Sequence, residues 1–168
     1  FKNPEWKKAH ELDNNHYLGM KINENSIIPE FSFDDNTIKL DNLDMWYMMG
    51  YFIGNDCFMD TIHKTCKLRK EICFCINEND IDIVLNKSKD FIKLGIRQHS
   101  CISGKASVYV TYDKVWFNIF KKFGKYDYGK LIPEWVQDAP KEYIEHFIDG
   151  YRTADGCITK NECYSFST

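Results

Sequence analysis

Apolar residues crowd together along 45–54, in a chain that is otherwise mixed. Asp41 and Asp44 stand just ahead of this run as N-caps, and the pattern predicts a helix over 45–55. It is apolar almost all round, so burial on nearly every side is expected. The run is far shorter than the ~18 residues that cross a bilayer. Residues 1–40 carry scattered apolar pairs and read as short strands and turns. Residues 57–62 and 70–76 read as two strands. Asn79 or Asp80 can open a helix that runs to Leu94 and stops at Gly95. A hairpin of 96–102 and 106–112 follows, turning at Ser103-Gly104; Val108, Tyr109, Val110 and Thr111 are strong β-formers. Helix returns over 113–123, stopped by Gly124. Residues 125–140 read as a connector punctuated by Pro133 and Pro140. A further helix is expected over 141–154, with Glu142 and Glu145 near its positive end, then strand stubs at 157–160 and 164–167. The predicted order is helix, two strands, helix, two strands, helix, and then the beginning of the same order again.

That second beginning is visible in the residues themselves. Gly50-Tyr51-Phe52-Ile53-Gly54-Asn55-Asp56-Cys57-Phe58 lines up, one hundred positions later, with Gly150-Tyr151-Arg152-Thr153-Ala154-Asp155-Gly156-Cys157-Ile158. Each copy ends a helix and begins a strand. Gly50 and Gly54 lie four apart on one helix face, as do Gly150 and Ala154, and small residues at that spacing let two backbones approach closely. If the helices pack along these faces, Asn55 and Asp155 come side by side at one end. Paired acidic groups at such a place hold divalent metal and activate water for phosphodiester hydrolysis. The repeat alone favours plain core packing of two helices, with a Gly or Asn stop at each end.

Composition narrows the function classes. The chain has 168 residues, 43% hydrophobic and 15% aromatic, which suits one domain and part of a second and excludes a disordered chain. Net charge is −3, so a global basic coat for nucleic acid is excluded while a local basic strip is not. The seven cysteines form no CxxC pair and no secretory signal precedes them, which points to reduced thiols in an intracellular protein and away from structural zinc. The first residue, Phe1, is expected not to be the natural start.

The two repeat copies resemble the paired LAGLIDADG motifs of homing endonucleases, carried here by Met48-Met49-Gly50-Tyr51-Phe52-Ile53-Gly54-Asn55-Asp56 and Ile148-Asp149-Gly150-Tyr151-Arg152-Thr153-Ala154-Asp155-Gly156. Leu131-Ile132-Pro133-Glu134-Trp135, with Ala139-Pro140, resembles the region before the second motif in intein endonucleases. Trp6-Lys7-Lys8-Ala9-His10-Glu11-Leu12 and His16-Tyr17-Leu18-Gly19-Met20 resemble the last strands of a splicing (Hint) domain. The resemblance implies an α+β fold: splicing-like strands and linker over 1–40, a first αββαββα half-domain over 41–124, a connector over 125–140, and the start of a pseudo-symmetric second copy over 141–168. It implies a monomer with two such halves when complete, inserted in a host protein, working on double-stranded DNA inside the cell, with no membrane partner. Sheets would lie in the major groove, and helix-end acids would bind Mg²⁺ over the scissile phosphates.

The resemblance also marks residues. Asp155 keeps the family acid. Asn55 stands where the first motif has an acid, offering oxygen without charge, and Asp56 one position later is a further candidate. Gly54 and Ala154 complete the expected metal surroundings, and Gly50, Gly54, Gly150 and Ala154 the helix interface. Weakened cleavage, or nicking of one strand, is the expected consequence of Asn55; a degenerate insert that no longer cuts is the alternative. Self-splicing is excluded for the chain as given, which opens on Phe1 and closes on Ser167-Thr168. The second copy is too short to complete a half-domain.

For DNA contact the candidates are Thr61, His63, Lys64, Lys67, Arg69 and Lys70 around the first hairpin, Arg97, His99, Lys105 and Ser107 on the second, and Lys160 in the second copy. Lys114, Lys121, Lys122, Lys125 and Lys130 surround a helix end, where lysine is favourable on dipole grounds, and read as structural.

Overall fold

A computed structural model describes residues 26–34, 36–55, 57–62, 68–98, 106–124, 129–158 and 164–166. The fold is α+β. A small hairpin of β1 (Glu30–Phe33) and β2 (Asn36–Lys39) comes first, turning through Asp34 at φ 51°, a left-handed position that aspartate tolerates. Helix α1 (Leu43–Asn55) follows. Strands β3 (Cys57–Ile62) and β4 (Leu68–Asn77), helix α2 (Ile81–Ser88), strands β5 (Gly95–Gln98) and β6 (Ala106–Thr111), and helix α3 (Lys114–Phe120) complete one αββαββα unit. A single 3₁₀ turn, Lys121–Phe123, extends α3 to Gly124, whose φ of 87° ends it. The connector carries a short helix, α4 (Glu134–Gln137), and leads into α5 (Lys141–Asp155) and the strands β7 (Gly156–Ile158) and β8 (Tyr164–Phe166).

The four strands of the main sheet are antiparallel in the order β3-β4-β6-β5. Period-two alternation decides which residues of β4 meet the helices. Ile72, Phe74 and Ile76 are fully buried, and Phe74 packs edge-on to Phe52 of α1 and Phe120 of α3, with centroids 6.4 and 5.7 Å apart. Glu71, Cys73 and Cys75 take the opposite face. Phe120 is the hub of the core, lying 4.5 Å from Phe52, 5.8 Å from Trp116 and 6.4 Å from Phe123. The β1–β2 hairpin and the connector close over the start of α1. Trp135 of α4 stands edge-on to Phe31, Trp46 and Phe123 at 5.3, 5.9 and 5.5 Å, and the Trp46 indole donates to the Leu40 carbonyl at 2.8 Å. The connector is thus packed structure and not a bare linker.

Two helix ends depart from the sequence reading. Asn42, not Asp41 or Asp44, caps α1: its Oδ1 accepts from the Asp44 N–H at 2.8 Å. Asp44 lies inside the first turn and pairs with Lys87 of α2 at 2.6 Å. Helix α2 stops at Ser88, well before Leu94. The N–H groups of Phe91 and Ile92 both bond the Ser88 carbonyl, at 3.1 and 2.8 Å, and the resulting turn swings Ile92 into the core and offers the Phe91 carbonyl to the Trp116 indole at 2.9 Å. Tertiary packing there outweighs the helical propensity of Phe91–Leu94. Asp80, expected to open α2, stands at its N-cap position without a side-chain hydrogen bond. Asp113 accepts from the N–H groups of Val115 and Trp116, at 2.9 and 3.0 Å, and so opens α3.

Because Phe120 touches four other aromatic rings, Phe120→Ala should cost about 3–5 kcal/mol of stability, measured by urea unfolding; a loss below about 1 kcal/mol would contradict this account of the core.

Candidate functional site

Helices α1 and α5 run parallel and touch backbone to backbone. A Cβ built on Gly50 would overlap the carbonyl oxygen of Phe147, and one on Gly150 would overlap the carbonyl oxygen of Tyr47. The next neighbours match as well: the Tyr151 N for Gly50 and the Tyr51 N for Gly150, each 2.9 Å from the added carbon. Position 47 is to 150 as 147 is to 50. The offset of the sequence repeat therefore maps one contact onto the other, and a pseudo-two-fold axis runs between the helices. One turn further on, a Cβ on Gly54 would overlap the Ala154 side chain and stand 3.3 Å from both the Cβ and the N of Asp155.

The two helices consequently end together, α1 at Asn55 and α5 at Asp155. Their last carbonyls lack helical partners and carry the negative ends of two dipoles. Lys130 answers part of this charge, its ammonium donating to the carbonyls of Phe52 and Ile53 at 3.2 and 2.9 Å and lying 5.6 Å from the centre of the Phe52 ring. On α5 the Thr153 hydroxyl donates to the Asp149 carbonyl at 2.9 Å. Asp155 is half-buried. Burial first, and the Asp155 charge second, push the Tyr151 phenol above its ordinary value. On the flank of the same helix pair, burial raises the Tyr47 phenol, the Thr153 hydroxyl offsets this in part, and Asp80 and Asp149 add to it.

Oxygen donors dominate this end: the carboxylate of Asp155 and the last main-chain carbonyls of the two helices. Hard divalent cations such as Mg²⁺ or Mn²⁺ favour that donor chemistry, and the convergent dipoles favour any cation. The residues fit such an ion in kind, with one negative charge where a symmetric pair of acids would supply two. Among the described residues, no group of three or more His, Cys, Asp or Glu side chains gathers to hold a metal. Asp56 lies outside the described residues.

The candidate DNA-contacting positions distribute unevenly. Thr61 and Arg69 are register partners on β3 and β4, and Arg69 shares the parity of Glu71 and Cys73. Lys70 has the opposite parity, and its ammonium lies 5.7 Å over the Phe117 ring, so it belongs to the helix-packed side. Ser107, opposite Ile76, falls on that side too. Arg97 stands on the edge strand β5 and pairs with Glu71 at 2.5 Å, an ion pair that raises the guanidinium further above its already high value. His63, Lys64, Lys67, His99, Lys105 and Lys160 lie outside the described residues. Sequence reasoning missed two participants, Glu71 and the carbonyl-clamping role of Lys130. Only the first left a signal, as an acid that follows Arg69 and Lys70 and leads into the apolar and thiol-bearing part of the strand.

Gly150→Ala should destabilise by roughly 1–3 kcal/mol or more, since the added methyl meets backbone and not a movable side chain. Gly129→Ala, with nothing within 4 Å of the added carbon, should stay within about 0.5 kcal/mol of the parent. Equal melting behaviour of the two variants in thermal unfolding would contradict the close helix contact. Lys130→Met should cost about 1.5–3 kcal/mol by releasing two carbonyls from a charged donor, read out by the same melts.

The sequence matches no protein-family model and no curated protein. Solved structures do match. One is a variant of I-DmoI in complex with its target DNA, nicked in the coding strand and in the presence of manganese; it is similar over 68% of this chain, at 12% sequence identity and a TM-score of 0.47. This chain spans about 62% of the length of that one.

Proposed function

We propose that this chain is the DNA-cleaving part of an intein, a homing-type endonuclease that nicks or cuts double-stranded DNA at specific sites using Mg²⁺. The observation that supports it best is the reciprocal contact of Gly50 with Phe147 and Gly150 with Tyr47, which brings two helix ends, one bearing Asp155, to a shared point. Residues 41–124 are the first half-domain, 125–140 the connector and 141–168 the start of the second, with 1–40 belonging to the splicing side of a host protein inside the cell.

In this reading Asp155, Asn55 and the main chain of Gly54 and Ala154 hold the cation, with Asp56 as a further candidate. A divalent ion bound there supplies activation of water and relief of charge on the phosphate. Asp155 contributes the one formal negative charge of the set. Gly50, Gly54, Gly150 and Ala154 keep the helix ends close enough for a single ion to reach both. Thr61, His63, Lys64, Lys67, Arg69, Lys70, Arg97, His99, Lys105 and Lys160 are the DNA-contact set; of these, Lys70 meets phosphates from the rim of the sheet and not from its open face. Asn55 favours a second reading, an insert that binds DNA and no longer cuts it.

Incubation of supercoiled plasmid carrying the uninterrupted host gene with Mg²⁺ decides between them. Nicked circles should accumulate, and should be absent both in EDTA and with Asp155→Ala. Asn55→Asp should raise the rate and shift products toward linear DNA. Equal residual nicking by wild type and Asp155→Ala would sink the cleavage reading. Affinity for duplex DNA should fall with added salt by a slope of about −0.9 per phosphate neutralised, and a flat titration would sink the DNA-binding reading as well.

A further inference from the structure

Glu71 is 2% exposed although it lies on the face of β4 opposite the helices. Ionised carboxylates are rarely buried without a compensating charge. Arg97 supplies it, with Nη1 donating to Oε1 at 2.5 Å. The Cys73 thiol donates to the same oxygen at 3.7 Å and accepts from the same Nη1 at 3.8 Å. The arginine itself remains 40% exposed. It stands where the register between β5 and β6 slips, between Ile96 and Gln98, and such a bulge re-aims a side chain away from the ordinary alternation. Among the described residues only Nη1 of the guanidinium is engaged, which leaves the Nε and Nη2 donors available.

Stability alone gives a poor reason for this arrangement, because apolar residues of similar volume replace buried ion pairs at little or no cost. What the pair does well is to hold a planar fork in one orientation. Two donors of a fixed guanidinium match the O6 and N7 acceptors of guanine in the major groove. We infer that Glu71 is a positioning residue that presents Arg97 to a guanine at one position of the bound DNA. This inference rests on the proposed DNA-binding function, and it makes Arg97 a reader of sequence and not one more phosphate contact.

The test uses the purified 168-residue chain and a pool of randomised duplex DNA, with the bound fraction sequenced. Wild type should select guanine at one position by roughly tenfold or more. Arg97→Ala should lose that preference and keep the others. Glu71→Gln should lose it too, while affinity for the unselected pool and its salt slope stay within about twofold of wild type, since phosphate contacts are intact. Arg97→Lys keeps the charge and the ion pair but not the fork, so it should fold normally, retain the salt slope and lose the guanine preference. A Glu71→Gln protein that keeps the wild-type guanine preference overturns the positioning role, as does uniform loss at every position with a lowered melting temperature. An Arg97→Lys protein that still selects guanine overturns the reading by the fork. Absence of binding by wild type to any duplex at low salt is failure of the DNA-binding function itself, and the inference falls with it.

Discussion

Two carbonyl oxygens, those of Tyr47 and Phe147, sit where the Cβ atoms of Gly150 and Gly50 would otherwise be. The remaining architecture is arranged around that contact. It forces α1 and α5 to run parallel, sets their relative height, and leaves α1 flanked by α5 on one side and by the sheet and α3 on the other. That is why α1 must be apolar nearly all round, and why Trp46, Met48, Met49, Tyr51 and Phe52 have almost no exposure. Helix α5 meets its neighbours on one side only and keeps Glu142, Glu145 and Asp149 toward water, the amphipathic pattern of a helix with one covered face.

Packing density on the other side of α1 comes from rings. Phe52, Phe74, Phe120, Phe123 and Trp116 interlock between helix and sheet, and Trp135 continues the stack to Phe31 across the connector. The connector therefore does mechanical work. By docking α4 beneath the first hairpin it fixes where α5 can start, and the Tyr143 hydroxyl bonds the Asp41 carbonyl at 3.1 Å to tie the start of α5 to the approach to α1. A looser connector would leave the two glycines free to slide past one another.

Much of this was legible beforehand, for reasons that differ by element. The strands, α3 and α5 announce themselves by β-forming residues, by the Gly124 stop and by acids near a helix start, all of which are local. The close helix contact was readable because it depends on small residues at fixed spacing, repeated. The early end of α2 was not readable: Phe91 and Ile92 leave the helix for contacts with Trp116 and the core that no local pattern encodes. Asn42 took the cap from two equally suitable acids because Asp44 is engaged by Lys87, more than forty residues away. Likewise the Arg97–Glu71 pair joins β5 to β4, which are not neighbours in the sheet, and lysine at position 130 gives no hint in sequence that it reaches the end of α1.

The unequal helix ends have a consequence for the protein before it meets any ligand. Two aspartates held together where two helix dipoles also converge would repel, and the strain would have to be relieved by a counterion, by protonation, or by prising the helices apart. With Asn55 in one place and the Lys130 ammonium on the carbonyls of Phe52 and Ile53, the pair closes with little net repulsion. Assembly of the helix pair then rests on backbone packing and one lysine, and not on a counterion drawn in from solution.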